Sequence, residues 1–386
     1  MAPHPLLALR PDSPVGLVFS GGGARGAYQI GVWKVLREHG LGGDPQVVSG
    51  TSSGAINAIL IAAGLSPDDM LGFWLDLARD PPVVGNEALF ASLARGLRRL
   101  LLREPLRPLG RRGRELRLLG KLLRSHRLWD AAGRHAALLA YLVTARFDVL
   151  SELLDQVSTT HLFDTRPMRE RLCRAIGGET LRSGRVRLAI NAMDVQTGRV
   201  VRLVNCPPSK RSGASAAHYH YHEAISVDMV LASASIPLLF NPVRVDGALL
   251  WDGGLLVNTP LAPAVALGAR RIVPVLATAG GRGTPAELDC LGAAVERLVD
   301  AFLENAYNVD RKMLLDRNVL ARGGADPELR VVELFQAVRP DTSRTFNAGS
   351  YLYFEREAML RMFEAGERAG RLWLERGPLR DERERG

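Results

Sequence analysis

Val15-Gly-Leu-Val-Phe-Ser-Gly-Gly-Gly-Ala-Arg-Gly26 and Gln46-Val-Val-Ser-Gly-Thr-Ser-Ser-Gly54 decide the fold class. Each is a short apolar run that ends in small residues and opens into a helical pattern. Val15 to Phe19 predicts a buried strand, and Ala24 to about Glu38 a helix with Ala27, Ile30, Gly31 and Val35 on one face. Gln46 to Ser49 predicts a second buried strand, which runs straight into a helix from Ser53 to Ala63. Strand, tight turn, helix, twice over, is the rhythm of a parallel α/β sheet.

Outward from that core the rhythm breaks between about Asp80 and Thr160. This stretch is rich in Leu and Arg and punctuated by Pro81, Pro82, Pro105 and Pro108, so it is expected to insert several helices over the sheet as a lid or docking surface. Sheet character resumes at Val186 to Asn191 and Val200 to Val204, joined by a turn at Gln196-Thr-Gly198. A strand pair flanks Asp246-Gly247, Arg271 to Leu276 is another buried strand, and Arg330 to Phe335 is a strand between two C-terminal helices. The expected organisation is a flexible N-terminus over 1–14 and a catalytic domain over 15–275 carrying the 80–160 insertion. A C-terminal extension over 276–386 is expected to pack on the same core.

The chain has 386 residues, 47% of them apolar and 24% charged, which excludes a disordered or fibrous protein. Cys173, Cys206 and Cys290 are too few and too scattered for a disulfide framework or a zinc knuckle, and they suit a reducing compartment. The N-terminal apolar patch is short and lacks a basic flank, unlike a signal peptide. The longest apolar stretches, Ile56 to Leu65 and Ala136 to Ala145, fall short of the roughly 18 residues a spanning helix needs. A cytoplasmic protein is the expectation.

Net charge is +9, and only Lys34, Lys121, Lys210 and Lys312 among the 50 basic residues are lysines. From Arg95 to Arg127 twelve basic residues face two acidic ones, Glu104 and Glu115, so the remainder of the chain is nearly neutral. Leu93, Leu97, Leu100 and Leu101 share a helical face there. Such a helix suits peripheral contact with an anionic membrane, or else a solvated cap on the sheet. Nucleic-acid binding would want a recognisable module or interleaved aromatics, and the chain has neither.

Gly50-Thr-Ser-Ser-Gly54 fits G-x-S-x-G between a strand and a helix, the setting in which a strained elbow lifts a serine hydroxyl off a sheet. The nucleophile is then Ser52, with Gly50 and Gly54 leaving room on either side. In Ser20-Gly-Gly-Gly-Ala-Arg-Gly26, consecutive glycines let backbone N–H groups converge at a helix N-terminus and hold a developing oxyanion. Gly21, Gly23 and Gly26 also satisfy a dinucleotide fingerprint, but that needs an acidic residue ending the second strand, where the serine elbow stands instead. Trp251-Asp-Gly-Gly-Leu-Leu-Val-Asn-Thr-Pro260 places Asp252, followed by Gly253 and Gly254, on an open turn. His218, His220 and His222 would share one face of an extended segment, a conceivable metal cluster, with an exposed strand beside the cleft as the plainer reading.

Together with Ala232-Ser-Ala-Ser-Ile-Pro-Leu-Leu-Phe-Asn-Pro242, these pieces resemble the patatin-like phospholipase family, over roughly Val15 to Leu65 and Arg185 to Pro263. The resemblance implies a three-layer α/β/α fold and a Ser–Asp dyad, with Ser52 attacking an ester carbonyl and Asp252 as its base. It implies an oxyanion hole in the loop of Gly21, Gly22, Gly23, Ala24, Arg25 and Gly26, with the N–H groups around Gly22, Gly23 and Ala24 holding the oxyanion and Arg25 fixing the loop. It calls for no metal, organic cofactor or catalytic histidine, and its substrate would be a phospholipid or another acyl-ester lipid. An acyltransferase or thioesterase could use the same dyad, and a membrane-binding adaptor with a dead site is the non-enzymatic alternative. Ser20 departs from the family, in which aspartate commonly precedes the glycines.

Overall fold

A computed structural model of the chain describes residues 3–89, 91, 92, 95, 155, 157, 159–209, 218–279, 291–324, 328–340, 351 and 354–381. The chain divides into two compact units, Met1–Val84 with Thr165–Gly386, and Gly85–Asp164. In the smaller unit the Asn86 N–H donates to the Leu162 carbonyl at 2.9 Å and its side-chain amide to the His161 carbonyl at 3.0 Å, so the two ends of that segment lie side by side. Apart from Arg95, the basic segment 95–127 lies outside the described residues.

In chain order the larger unit runs β1 (Val15–Phe19), α1 (Gly26–Val35), β2 (Val47–Thr51), α2 (Ser53–Ala62), α3 (Pro67–Arg79) and α4 (Arg166–Ile176). It continues through β3 (Arg187–Asp194), β4 (Val200–Val204), β5 (Tyr219–Tyr221), α5 (Val227–Ser233), β6 (Val243–Val245) and β7 (Ala248–Asp252). It closes with α6 (Leu261–Ala266), β8 (Arg271–Val275), α7 (Leu291–Arg322), β9 (Glu333–Leu334) and α8 (Arg356–Glu375). Strands β3, β2, β1, β8 and β9 are parallel neighbours, as two successive strand–turn–helix units require.

The strands alternate their faces, and both faces are covered, which is why β1 is apolar and buried along its whole length. Leu17, Phe19, Val48 and Ile190 pack in one core with residues of α1, α2, α3 and α8. Val18, Val47, Ala189 and Ile272 pack in a second core with α6 and α7. The architecture is therefore three-layered α/β/α with a mostly parallel sheet. Helix α1 differs from the one-faced pattern in its sequence, because every residue except Lys34 is buried. The reason is α8: a Cβ on Gly31 would stand 2.0 Å from the Phe363 carbonyl oxygen, and one on Gly366 2.0 Å from that of Tyr28. Glycine on each helix lets the two backbones touch, so α1 is enclosed between sheet and α8.

One detail of the register positions the site. Strand β3 meets β4 along one edge. Its other edge meets β2 as far as Thr51 opposite Asn191, and then β7, arriving antiparallel with Asp252 opposite Ala192. Strands β2 and β7 thus converge end to end on neighbouring positions of β3.

Candidate active site

Where β2 ends, the chain turns into α2 with Ser52 at φ 56°, ψ −125°. A non-glycine residue held there costs on the order of 1–3 kcal/mol, a cost tolerated where the surroundings fix the turn. A Cβ on Gly50 would lie 2.2 Å from the Gly54 carbonyl oxygen, and one on Gly54 2.4 Å from that of Phe19, so this elbow closes only with glycine at both positions. The Ser52 N–H donates to Ser233 Oγ at 3.0 Å, and that hydroxyl donates to the Asn191 carbonyl.

Asp252, at the converging end of β7, is 5% exposed and Ser52 6%. The carboxylate accepts the Gly254 N–H at 2.7 Å and lies within reach of the Ser52 side chain. Burial pushes its carboxyl up to about 6, and the Gly254 N–H and the Ser52 side chain hold it from rising further. It is therefore largely ionised at neutral pH, yet a stronger base than an exposed aspartate.

The glycine loop passes over Ser52: a Cβ on Gly21 would be 3.1 Å from Ser52 Cβ. Its root is Ser20, whose N–H donates to the Val275 carbonyl at 3.1 Å and whose Oγ accepts the Ala277 N–H at 2.8 Å. A neutral hydroxyl thus anchors the loop at the position where the family commonly carries aspartate. The Gly21 N–H is taken by the Asn258 carbonyl at 3.1 Å, the Arg25 N–H by the Gly22 carbonyl at 3.1 Å, and the Gly26 N–H turns back on the Gly23 carbonyl. A donor already bonded within the loop is not offered to a substrate. Gly22, Gly23 and Ala24 are left with backbone N–H groups that meet no acceptor among the described residues.

Behind the loop runs a buried polar chain. Trp74 Nε1 donates to Asn57 Oδ1 at 3.0 Å, and Asn57 Nδ2 donates to the Gly26 carbonyl at 3.0 Å and to Gln29 Oε1 at 2.9 Å. Gln29 Nε2 completes it on the Ser20 carbonyl at 2.7 Å. Each amide is matched donor to acceptor, so the loop's backbone is held from inside the core. Helix α3, which carries Trp74, starts in a capping box between Ser66 and Asp69, a motif worth about 1 kcal/mol.

A serine on a strained elbow beside a buried carboxylate, beneath a loop with converging N–H groups, is a set of parts suited to acyl transfer. The family model described as Patatin-like phospholipase matches residues 17–265. The chain belongs to the patatin-like phospholipase family. Over 57 residues it is 47% identical to the patatin-like phospholipase domain-containing protein ZK370.4 of Caenorhabditis elegans, and over 58 residues 48% identical to the lysophospholipase nte1 of Aspergillus terreus. Each stretch is 15% of this chain and 4% of the relative's own length. Among solved structures, VipD from Legionella pneumophila aligns at 17% identity and TM-score 0.33, over 92% of this chain and 67% of its own. Human GIVD cytosolic phospholipase A2, complexed with methyl gamma-linolenyl fluorophosphonate, aligns at 14% identity and TM-score 0.36, over 95% and 59%.

Of the residues singled out in the sequence, Ser52, Asp252, Gly253, Gly254 and the patatin-like loop from Gly21 all lie around this one point. Asn258 was quoted only as part of a motif, yet it ties the parts together: its side-chain oxygen would lie 2.5 Å from a Cβ on Gly21 and 3.2 Å from one on Gly254. Ser233 likewise had no local signal beyond its motif. In the histidine run, His220 lies on β5 opposite Leu203, while His222 Nε2 is 3.3 Å from an Asp246 carboxylate oxygen in the β6–β7 turn. Among the described residues no three His, Cys, Asp or Glu side chains are grouped as a metal site would be.

Proposed function

We propose that the chain is a lipid acyl hydrolase of the phospholipase A or lysophospholipase kind, with Ser52 as nucleophile and Asp252 as general base. The observation that carries this is the buried Asp252 carboxylate within reach of Ser52, which itself stands on a strained strand-to-helix elbow. Asp252 takes the serine proton as Ser52 Oγ attacks the ester carbonyl. The tetrahedral oxyanion forms against the N–H groups of Gly22, Gly23 and Ala24, donors already fixed in place before charge develops. Collapse expels the alcohol, which leaves with the proton from Asp252. Water then attacks the acyl-enzyme, Asp252 accepts its proton, and the fatty acid departs with Ser52 restored.

A lipid substrate is supported by family membership and by the name of the lysophospholipase relative. The basic segment 95–127 would bring the enzyme to an anionic lipid surface through its local excess of positive charge. A total lipid extract incubated with the enzyme and read by mass spectrometry tests the assignment. Free fatty acid and deacylated lipid should accumulate with the parent and not with Ser52→Ala. Identical product profiles for the two would sink it.

A further inference from the structure

We propose that Tyr351 and Asp300, both beyond the family-matched residues 17–265, act as positioning residues that clamp Arg25 and so set the oxyanion loop. The proposal rests on the reading of that loop as the oxyanion site.

Arg25 is a guanidinium 1% exposed, in a loop that otherwise offers it no charge. A buried cation is costly unless its donors are met by carboxylates and carbonyls. Its Nη1 donates to the Ala277 carbonyl at 3.0 Å and to the Asp300 carboxylate at 3.3 Å, and its Nη2 lies 3.7 Å from the Glu296 carboxylate. The guanidinium also stacks 3.7 Å from the centroid of the Tyr351 ring, and the Tyr351 hydroxyl donates to the same Asp300 carboxylate. Asp300 therefore bridges the cation and the phenol that covers it.

The contact closes on the backbone. Gly23 sits at φ +56°, and a Cβ there would lie 2.0 Å from the Tyr351 carbonyl oxygen. Tyr351 thus abuts the residue whose own N–H is unpaired, while its ring holds the side chain two positions further along. Glu296 and Asp300 come from α7, so one long helix and Tyr351 grip the loop from outside the matched domain. Donors to an oxyanion act only when held to a fraction of an ångström, and a shift of about 1 Å can cost about 10²-fold in rate.

The test measures kcat and KM on a soluble short-chain ester, with active sites counted by fluorophosphonate titration carried to completion. Tyr351→Ala and Asp300→Asn should lower kcat per titrated site by about 10- to 10²-fold with KM within about twofold, while Tyr351→Phe keeps most activity because the stacking ring remains. Should Tyr351→Ala not fold, Asp300→Asn carries the same expectation alone. Parental kcat per site in the folded variants would overturn the clamp, as would a loss confined to the number of titrated sites. Ser52→Ala run alongside separates the two readings. Activity persisting in Ser52→Ala removes the dyad itself, whereas a dead Ser52→Ala beside fully active clamp variants removes only the clamp.

Discussion

Burial lifts the Asp252 carboxyl from 3.8 to about 6, against the pull of the Gly254 N–H and the Ser52 side chain toward its ionised form. A base works only when deprotonated, so kcat/KM for a soluble ester should climb through about pH 6 as one ionisation and then level off. The same shift acts oppositely on stability. Because the folded value lies above the unfolded one, this group's favourable contribution is complete below pH 3.8 and is lost as pH rises through about 6. By pH 8 the loss is on the order of 3 kcal/mol. Asp252→Asn should therefore be inactive yet melt higher than the parent at pH 8, with the gap closing near pH 4; an equal gap at both pH values would contradict the burial argument. Asp310 offers a control without catalytic consequence. Burial raises its carboxyl to about 7, with Arg202 pulling the other way, and its Oδ2 has no hydrogen-bond partner among the described residues. Asp310→Asn should also melt higher at pH 8, with parental activity.

At the scale of elements, what the sequence made legible was local. Val15 to Phe19, Gln46 to Ser49, Val200 to Val204 and the pair around Asp246-Gly247 all form strands close to their expected bounds, because each is a short apolar run stopped by glycine or a turn. The G-x-S-x-G spacing located Ser52 because a tight elbow imposes small neighbours on the chain itself. What was not legible depends on register between distant segments. Nothing near Ala192 announces that β7 will arrive opposite it, and nothing near Gly23 announces Tyr351. The arginine of the loop said only that a partner must exist. The polar chain Trp74–Asn57–Gln29 is of the same kind, since Asn57 reads as one more position on an apolar helix. Asn57→Ala would strand the Trp74 indole and the Gln29 amide oxygen in the core, each at a cost of about 1–3 kcal/mol. The thermal midpoint should drop by several degrees and kcat should fall with it, since the loop loses its backing; a parental midpoint would mean that water or repacking replaces the relay.

For the whole molecule, the uneven charge and the dyad make separate claims. The local excess between Arg95 and Arg127 in an otherwise nearly neutral chain should draw the enzyme to anionic vesicles, and more weakly as salt shortens the Debye length below about 8 Å. Replacing Arg98, Arg99, Arg103, Arg111 and Arg112 by glutamine should reduce vesicle binding and vesicle hydrolysis while sparing a soluble ester. Unchanged binding would assign the segment to a solvated cap. The dyad is tested most directly by covalent trapping. The parent, Ser52→Ala, Ser53→Ala and Asp252→Asn are each treated with a fluorophosphonate, and the adduct is located by peptide mass spectrometry. A Ser–Asp dyad at this elbow should give one adduct per chain on Ser52, kept in Ser53→Ala, absent in Ser52→Ala and strongly slowed in Asp252→Asn. An adduct on Ser53, or labelling that survives in Ser52→Ala, would contradict it.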